Sequence, residues 1–346
     1  MIYFQSDYSI GAHPKVMEAL MKTNMEHTTG YGLDEHCINA ANMIKKMIGN
    51  ENCAVHMMVG GTPCNITLIS SALRPYESVI SCRTGHIYSH ETGGVEANGH
   101  RVLTVDGING KMQPYMIDEA LDEYEDEHTA MPRMVYISQP TECGSIYSEA
   151  ELVALYNKCK EKNLYLYVDG ARLGTALTSE KNDLSLQELA ANCDAFYIGG
   201  TKNGALFGEA LVLINPELDD HFRYMIKQNC GMLAKGRLLG VQFEALLEGG
   251  GNSIFFEMAA HENAMAKILR EELETMGISF FSDSPTNQIF PILPVKTVEE
   301  LEKKFMFHRW APERDGMIPV RFVTSWATTE EEVRELIDSV RQLVNA

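Results

Sequence analysis

From about residue 50 to residue 215 the chain alternates short apolar runs with amphipathic stretches. Seven runs have strand length: "CAVHMMV" (53–59), "SVISC" (78–82), "RVLTV" (101–105), "MVYIS" (134–138), "LYLYV" (164–168), "AFYIG" (195–199) and "ALVLI" (210–214). Segments with helical spacing lie between several of them, at 64–73, 149–162 and 185–191. Strands that are apolar on both faces and separated by helices predict an α/β fold with a mainly parallel, seven-stranded sheet covered on both sides. Only a short glycine-rich link separates "AFYIG" from "ALVLI", which predicts an antiparallel hairpin at that point. Ser148 and Glu151 have capping-box spacing at the head of "EAELVALYNKCKEK".

The pattern changes near residue 250. "SIFFEMAAHENAMAKILREELETMG" (253–277) reads as one long amphipathic helix, and the pieces after it as a smaller α+β unit. Thr297 with Glu300, and Thr328 with Glu331, repeat the cap spacing. The expected division is a large domain over 1–250 and a small C-terminal domain over 251–346. "EGGGN" (248–252) is either the link or a helix terminus.

Composition narrows the possibilities. The 346 residues exceed the usual size of a single core, in keeping with one large domain and one small. A net charge of −19 argues against nucleic-acid or anionic-membrane partners, so any anionic ligand needs a local pocket of Lys and Arg. Eight cysteines show neither CxxC pairs nor zinc-ligand spacing and are expected to be reduced thiols, with no metal site. "MIYFQSDYSI" lacks the form of a signal peptide, and no apolar run approaches the roughly 20 residues of a membrane span. A cytoplasmic protein is expected.

The candidate chemistry gathers at strand ends. In an open α/β sheet, ligands bind outside the carboxyl ends of the strands. "GGTPCN" (60–65) follows the first of the seven strands and opens a helix, where Gly61, Thr62 and free backbone N–H groups suit a phosphate. It is neither a Walker motif nor GxGxxG. "GH" (85–86) follows "SVISC", Asp169 and Arg172 follow "LYLYV", and Lys202 in "GGTKNG" follows "AFYIG". A lysine among small residues beside a buried strand has little room to reach water. Burial favours its neutral amine, the form that attacks carbonyls. A carboxylate at the end of a central strand can hold a proton on a pyridine nitrogen, as pyridoxal phosphate requires.

Together "SD" (6–7), "YG" (31–32), "GGTPCN", "GHIY" (85–88), "VDGAR" (168–172), "GGTKNG" and "VRFVT" (320–324) resemble the low-specificity L-threonine aldolases, in the same order over nearly the whole chain. These belong to the β-eliminating lyase group of aspartate-aminotransferase-like, fold type I pyridoxal-phosphate enzymes. The resemblance implies that Lys202 holds the cofactor covalently, Asp169 pairs with the ring nitrogen, His86 stacks on the ring, and Gly61 and Thr62 bind the phosphate. It also implies that Ser6, Arg172 and Arg321 hold the substrate α-carboxylate, that Tyr31 lines the site mouth, and that Arg237 reaches the phosphate of a neighbouring subunit. A homodimer or homotetramer with shared active sites follows from the same likeness.

The implied reaction is cleavage of a β-hydroxy-α-amino acid, of the L-threonine or L-allo-threonine type, to glycine and an aldehyde, with His86 as the candidate base. In many relatives a second histidine follows the strand equivalent to "MVYIS"; here the segment reads "QPTECGSIY" (139–147), with Thr141 and Glu142. The segment between Cys230 and Arg237 also lacks the family's usual GGGM. Alternatives are β-elimination, racemisation or transamination on the same cofactor, and a non-catalytic binding protein on the same fold.

Overall fold

The computed structural model describes residues 1–344. All seven expected strands form and join one sheet, in the order 54–58, 209–213, 195–199, 165–169, 131–138, 77–82, 101–105. Glu209–Leu213 runs antiparallel to both its neighbours, and the other pairings are parallel. The antiparallel hairpin is therefore present, and reversing once more at Ala54–Met58 leaves six strands pointing the same way. Their carboxyl ends share one edge.

The side chains alternate across the pleat. Val135, Ile137, Leu166, Val168, Phe196 and Ile198 face one apolar cluster, which also takes Leu246 and Phe255 from helices. Met134, Tyr136, Tyr167 and Tyr197 face the other, with Leu68 and Ile69 from Gly61–Ala72. Burial on both faces is the reason these strands read as continuous apolar runs.

The expected long helix is Ile254–Thr275. Its first turns bury Ile254, Phe255 and Met258 against the large sheet, while Met265, Ala266, Leu269 and Leu273 enter a separate core with Phe322, Val333 and Leu336. "EGGGN" forms the end of the preceding helix and a short 3-10 turn, Gly250–Asn252, with no extended link. The first residues go to the smaller unit. Ile2–Tyr3 pairs with Phe305–Met306, and Phe4 is buried in the smaller core.

Two caps differ from expectation. The helix after Pro294 begins at Val295, whose N–H donates to the Gly316 carbonyl, so Thr297 lies buried inside the helix instead of capping it. In the last helix Thr329 and Glu332 make the reciprocal pair, at 3.3 and 3.0 Å, one residue beyond Thr328 and Glu331. The Thr328 hydroxyl is taken by the Ser325 N–H at 2.8 Å. Ser148 and Glu151 form the expected capping box. Among the described residues no helix is long and apolar enough to cross a membrane.

Candidate active site

Asp169 ends Tyr165–Asp169 on the same face as Tyr167, two residues before it. That face also carries Tyr136 and Tyr197 from the flanking strands. Both hydroxyls donate to Asp169, one to each carboxylate oxygen. Burial first, and then the charge of Asp169, hold both hydroxyls well above the ordinary tyrosine pKa, so they remain donors. The Ala171 N–H donates at 2.9 Å and the Asn65 amide at 3.3 Å. Asn65 also donates to Glu91 at 2.7 Å and accepts from the Tyr167 hydroxyl at 2.8 Å. The Glu91 carboxylate, whose side chain is wholly buried, meets His86 Nδ1 at 2.7 Å.

Lys202 stands on the turn after Ala195–Gly199 and has no hydrogen-bond or ion-pair partner among the described residues. Its amine lies 5.9 Å from the Tyr8 ring. Burial first, and then the positive charge of Arg172, pull its pKa below the ordinary lysine value against the pull of Asp7, Glu142 and Asp169. The turn is pinned by Glu209, which accepts from the Gly200 N–H at 2.8 Å and the Thr201 hydroxyl at 2.6 Å. Burial raises the Glu209 carboxyl to about 7.

Arg172 does not stand free. Its Nε and Nη2 both bond Asp7, the latter at 3.1 Å, and Asn287 donates to the same carboxylate at 3.0 Å. The pair is buried, with 8% and 0% of the two side chains exposed. Two of the guanidinium's donor nitrogens are thus committed to a protein carboxylate, which narrows its expected role at a substrate carboxylate. Arg321, on Met317–Val323, is the less occupied cation. Its Nη1 reaches Gln288 at 3.3 Å, its guanidinium lies over Trp310 at 4.8 Å, and its buried Nε has no partner among the described residues. Ser6 is buried beside Asp7, its hydroxyl 2.7 Å from that of Ser9.

Lys202, Asp169, His86, Arg172 and Arg321 interact electrostatically as one cluster with Asp7, Glu142 and His90. Gly61 and Thr62 open the helix Gly61–Ala72, which has no side-chain cap, so its first N–H groups are open to an anion. A Cβ at Gly61 would come 2.9 Å from the Tyr197 hydroxyl, so only glycine lets the helix start this close to Asp169's partner. Tyr31 and Arg237 have neighbours outside this cluster. The Tyr31 carbonyl accepts from Arg223 at 3.0 Å and Lys227 sits over its ring at 4.8 Å. Arg237 donates to the carbonyls of Thr23 and Asn24.

The donor set fits pyridoxal phosphate: an amine with no partner among the described residues for the aldehyde, an open helix start for the phosphate and a buried carboxylate for the ring nitrogen. Asp169 already accepts four hydrogen bonds, so a ring N–H⁺ would replace one of them. A charge-assisted bond is the stronger. Sequence reasoning missed Asn65, Glu91, Tyr136, Tyr197, Glu209, Asp7 and His90. For the two tyrosines a signal existed, because alternation along "MVYIS", "LYLYVD" and "AFYIG" puts them on Asp169's face.

A mostly parallel seven-stranded sheet with lysine and aspartate at its carboxyl edge defines a fold type I pyridoxal-phosphate enzyme. Aspartate aminotransferase of Thermus thermophilus has that fold, with a TM-score of 0.74 at 18% identity over 99% of this chain and 91% of the other. The chain belongs to the beta-eliminating lyase family, whose model matches residues 4–294. The low specificity L-threonine aldolase of Pseudomonas sp. (strain NCIMB 10558) is 33% identical over 347 residues, covering 99% of this chain and 98% of that protein. The structure of a threonine aldolase from Leishmania major superposes with a TM-score of 0.97 at 44% identity, covering 99% and 100% of the two chains.

Proposed function

We propose that the chain is a pyridoxal-phosphate-dependent carbon–carbon lyase that cleaves L-threonine or L-allo-threonine type β-hydroxy-α-amino acids to glycine and an aldehyde. The observation that carries the reading is Lys202, half-buried and without a hydrogen-bond or ion-pair partner among the described residues, at the same sheet edge as the buried Asp169. When bound, the cofactor supplies the sink for the electron pair released at the substrate's Cα. Lys202 holds its aldehyde carbon, Asp169 keeps a proton on its ring nitrogen, Gly61 and Thr62 bind its phosphate, and His86 packs on its ring. Glu91 fixes the His86 ring through Nδ1, with burial opposing the raised imidazole pKa that this contact produces.

Arg321, with its buried Nε unpaired, holds the substrate carboxylate beside Ser6. Arg172 adds its remaining N–H groups and, through Asp7, orders the segment that carries Ser6. The bond to be broken is thereby held in one orientation. Arg237, which in its own chain donates to the Thr23 and Asn24 carbonyls, serves the phosphate of the neighbouring site in a homodimer or homotetramer, and Tyr31 lines the site mouth. Eight free cysteines, seven of them buried, support a cytoplasmic enzyme.

The test is to load the protein with pyridoxal phosphate, record its visible absorption, and add L-threonine, L-allo-threonine and L-serine in turn. Glycine with an equal amount of aldehyde is expected. Release of 2-oxobutyrate or pyruvate with ammonia, or inversion at Cα, would overturn cleavage in favour of elimination or racemisation.

A further inference from the structure

Two histidines share the helical turn that begins at His86. His86–Ser89 is one turn long, and the His90 N–H donates to the His86 carbonyl at 2.9 Å. Residues four apart on a turn lie one above the other. The two rings accordingly sit 5.5 Å apart, tilted by 58°. They differ in what holds them. His86 Nδ1 is bound to the buried Glu91, whereas the His90 ring has no hydrogen-bond partner among the described residues and is exposed.

The charges that act on His90 come from Glu142, His86, Arg321 and Lys202. Glu142 comes from the segment after Met131–Ser138. It has no partner of its own within ion-pair distance among the described residues, yet its charge acts on His86, His90, Lys202, Arg172 and Arg321 alike. Its backbone is fixed on both sides. The Thr141 N–H donates to the Ser145 carbonyl at 2.8 Å, and the Ser282 hydroxyl donates to the Cys143 carbonyl at 2.6 Å.

We infer that His90, not His86, takes the proton from the substrate's β-hydroxyl, and that Glu142 stabilises the imidazolium so formed. The inference rests on the aldehyde-lyase reading above. As the O–H bond breaks, its proton passes to a His90 ring nitrogen and the oxygen's electron pair becomes the second bond of the aldehyde carbonyl. The Cα–Cβ bond breaks, its electron pair stays with the amino-acid fragment, and a proton is added at Cα to give glycine. One proton leaves and one arrives, so no outside oxidant or acid is consumed.

The protonation states agree with this division of labour. Burial and then Glu142's partial opposition leave His90 below the usual histidine pKa, with His86, Arg321 and Lys202 all disfavouring its charge. A ring that is neutral near pH 7 can accept a proton. In His86 burial is outweighed by the Glu91 hydrogen bond and by Glu142 and Asp169, so its pKa rises and its basic nitrogen is less available.

The test pairs kinetics with a titration. In His90→Asn loaded with cofactor, the visible band is retained, kcat for L-allo-threonine falls by about 100-fold or more, and KM changes little. In Glu142→Gln the acid limb of kcat/KM moves to lower pH, because a carboxylate that favoured the imidazolium has gone. Retention of more than a third of wild-type kcat in His90→Asn would overturn the assignment. Independently, NMR of the cofactor-free protein should show the His90 ring titrating below the His86 ring and lower still in Glu142→Gln. The reverse order would also overturn it. If the wild type releases no aldehyde from any β-hydroxy amino acid, the lyase reading itself fails, and the titration still decides whether His90 is the neutral ring.

Discussion

Each charged group in the cleft is tuned by a neighbour that lies far off in sequence. Asp169 is held by Tyr136, Tyr197 and Asn65, and Arg172 by Asp7. Lys202 has no hydrogen-bond or ion-pair partner among the described residues, and its lowered pKa follows from burial and from Arg172. Lys202→Ala is expected to lose the cofactor's visible band and any borohydride-reducible linkage; a normal band would remove Lys202 from its role. Asp169→Ala should keep the fold and lower turnover by about 100-fold or more, as for removal of a preorganised electrostatic group. Unchanged turnover would mean that another group protonates the ring. Asp169 and Lys202 were legible because each follows a recognisable strand. Asp7's claim on Arg172 was not, because the two are brought together only by the folded chain.

The strand and turn that carry Lys202 bring a cost of their own. Glu209 lies on the buried strand Glu209–Leu213, and its carboxyl is raised to about 7 because burial outweighs the bonds from Gly200 and Thr201. The unfolded chain releases this proton near the ordinary glutamate value of about 4.3 while the folded chain keeps it, so stability falls as pH rises between those values and is level above about 7. Glu209→Gln is expected to remove that fall, about 4 kcal/mol, in urea titrations across the range. A wild-type profile in the variant would refute it. The helix caps give a second measurement at this scale. Thr329→Ala should cost about 1 kcal/mol, as loss of an N-cap hydroxyl does. Local spacing pointed one residue too early there, because Thr328's hydroxyl serves the turn from Ser325.

Across the whole molecule, the N-terminal segment ties the two units together. Ile2–Tyr3 extends a strand of the smaller unit, and Asp7 then pairs with Arg172 from the large sheet. Asn287 links Asp7 to the Thr324 carbonyl at 2.9 Å and to Glu262 at 3.3 Å. Asp7→Ala leaves a buried guanidinium unpaired and is expected to cost about 3–5 kcal/mol in unfolding free energy. Arg172→Met in that background should restore part of the loss, which a double-mutant cycle reads directly. An additive cycle would show that the pair does not couple the units. Burial opposes the Asp7 charge but Arg172 and Lys202 outweigh it, so its pKa is lowered. The stability it contributes is present above the ordinary carboxylate range, near 3.9, and is lost as pH falls through the lower folded value.

The amino-acid sequence alone determined the seven strands, their parallel arrangement with one reversal, the long helix after residue 253 and the shared edge holding Gly61, His86, Asp169 and Lys202. Those features follow from apolar periodicity and from chain order, which are local. It did not determine that Glu91, Asn65 and two tyrosines orient the site, that Asp7 occupies Arg172, or that a second histidine stands one helical turn from the first within reach of Glu142's charge. Such contacts join residues up to 280 positions apart, as between Asp7 and Asn287. Only the closed sheet edge and the packing of the two units bring those charges within range of one another, and range is what sets their protonation.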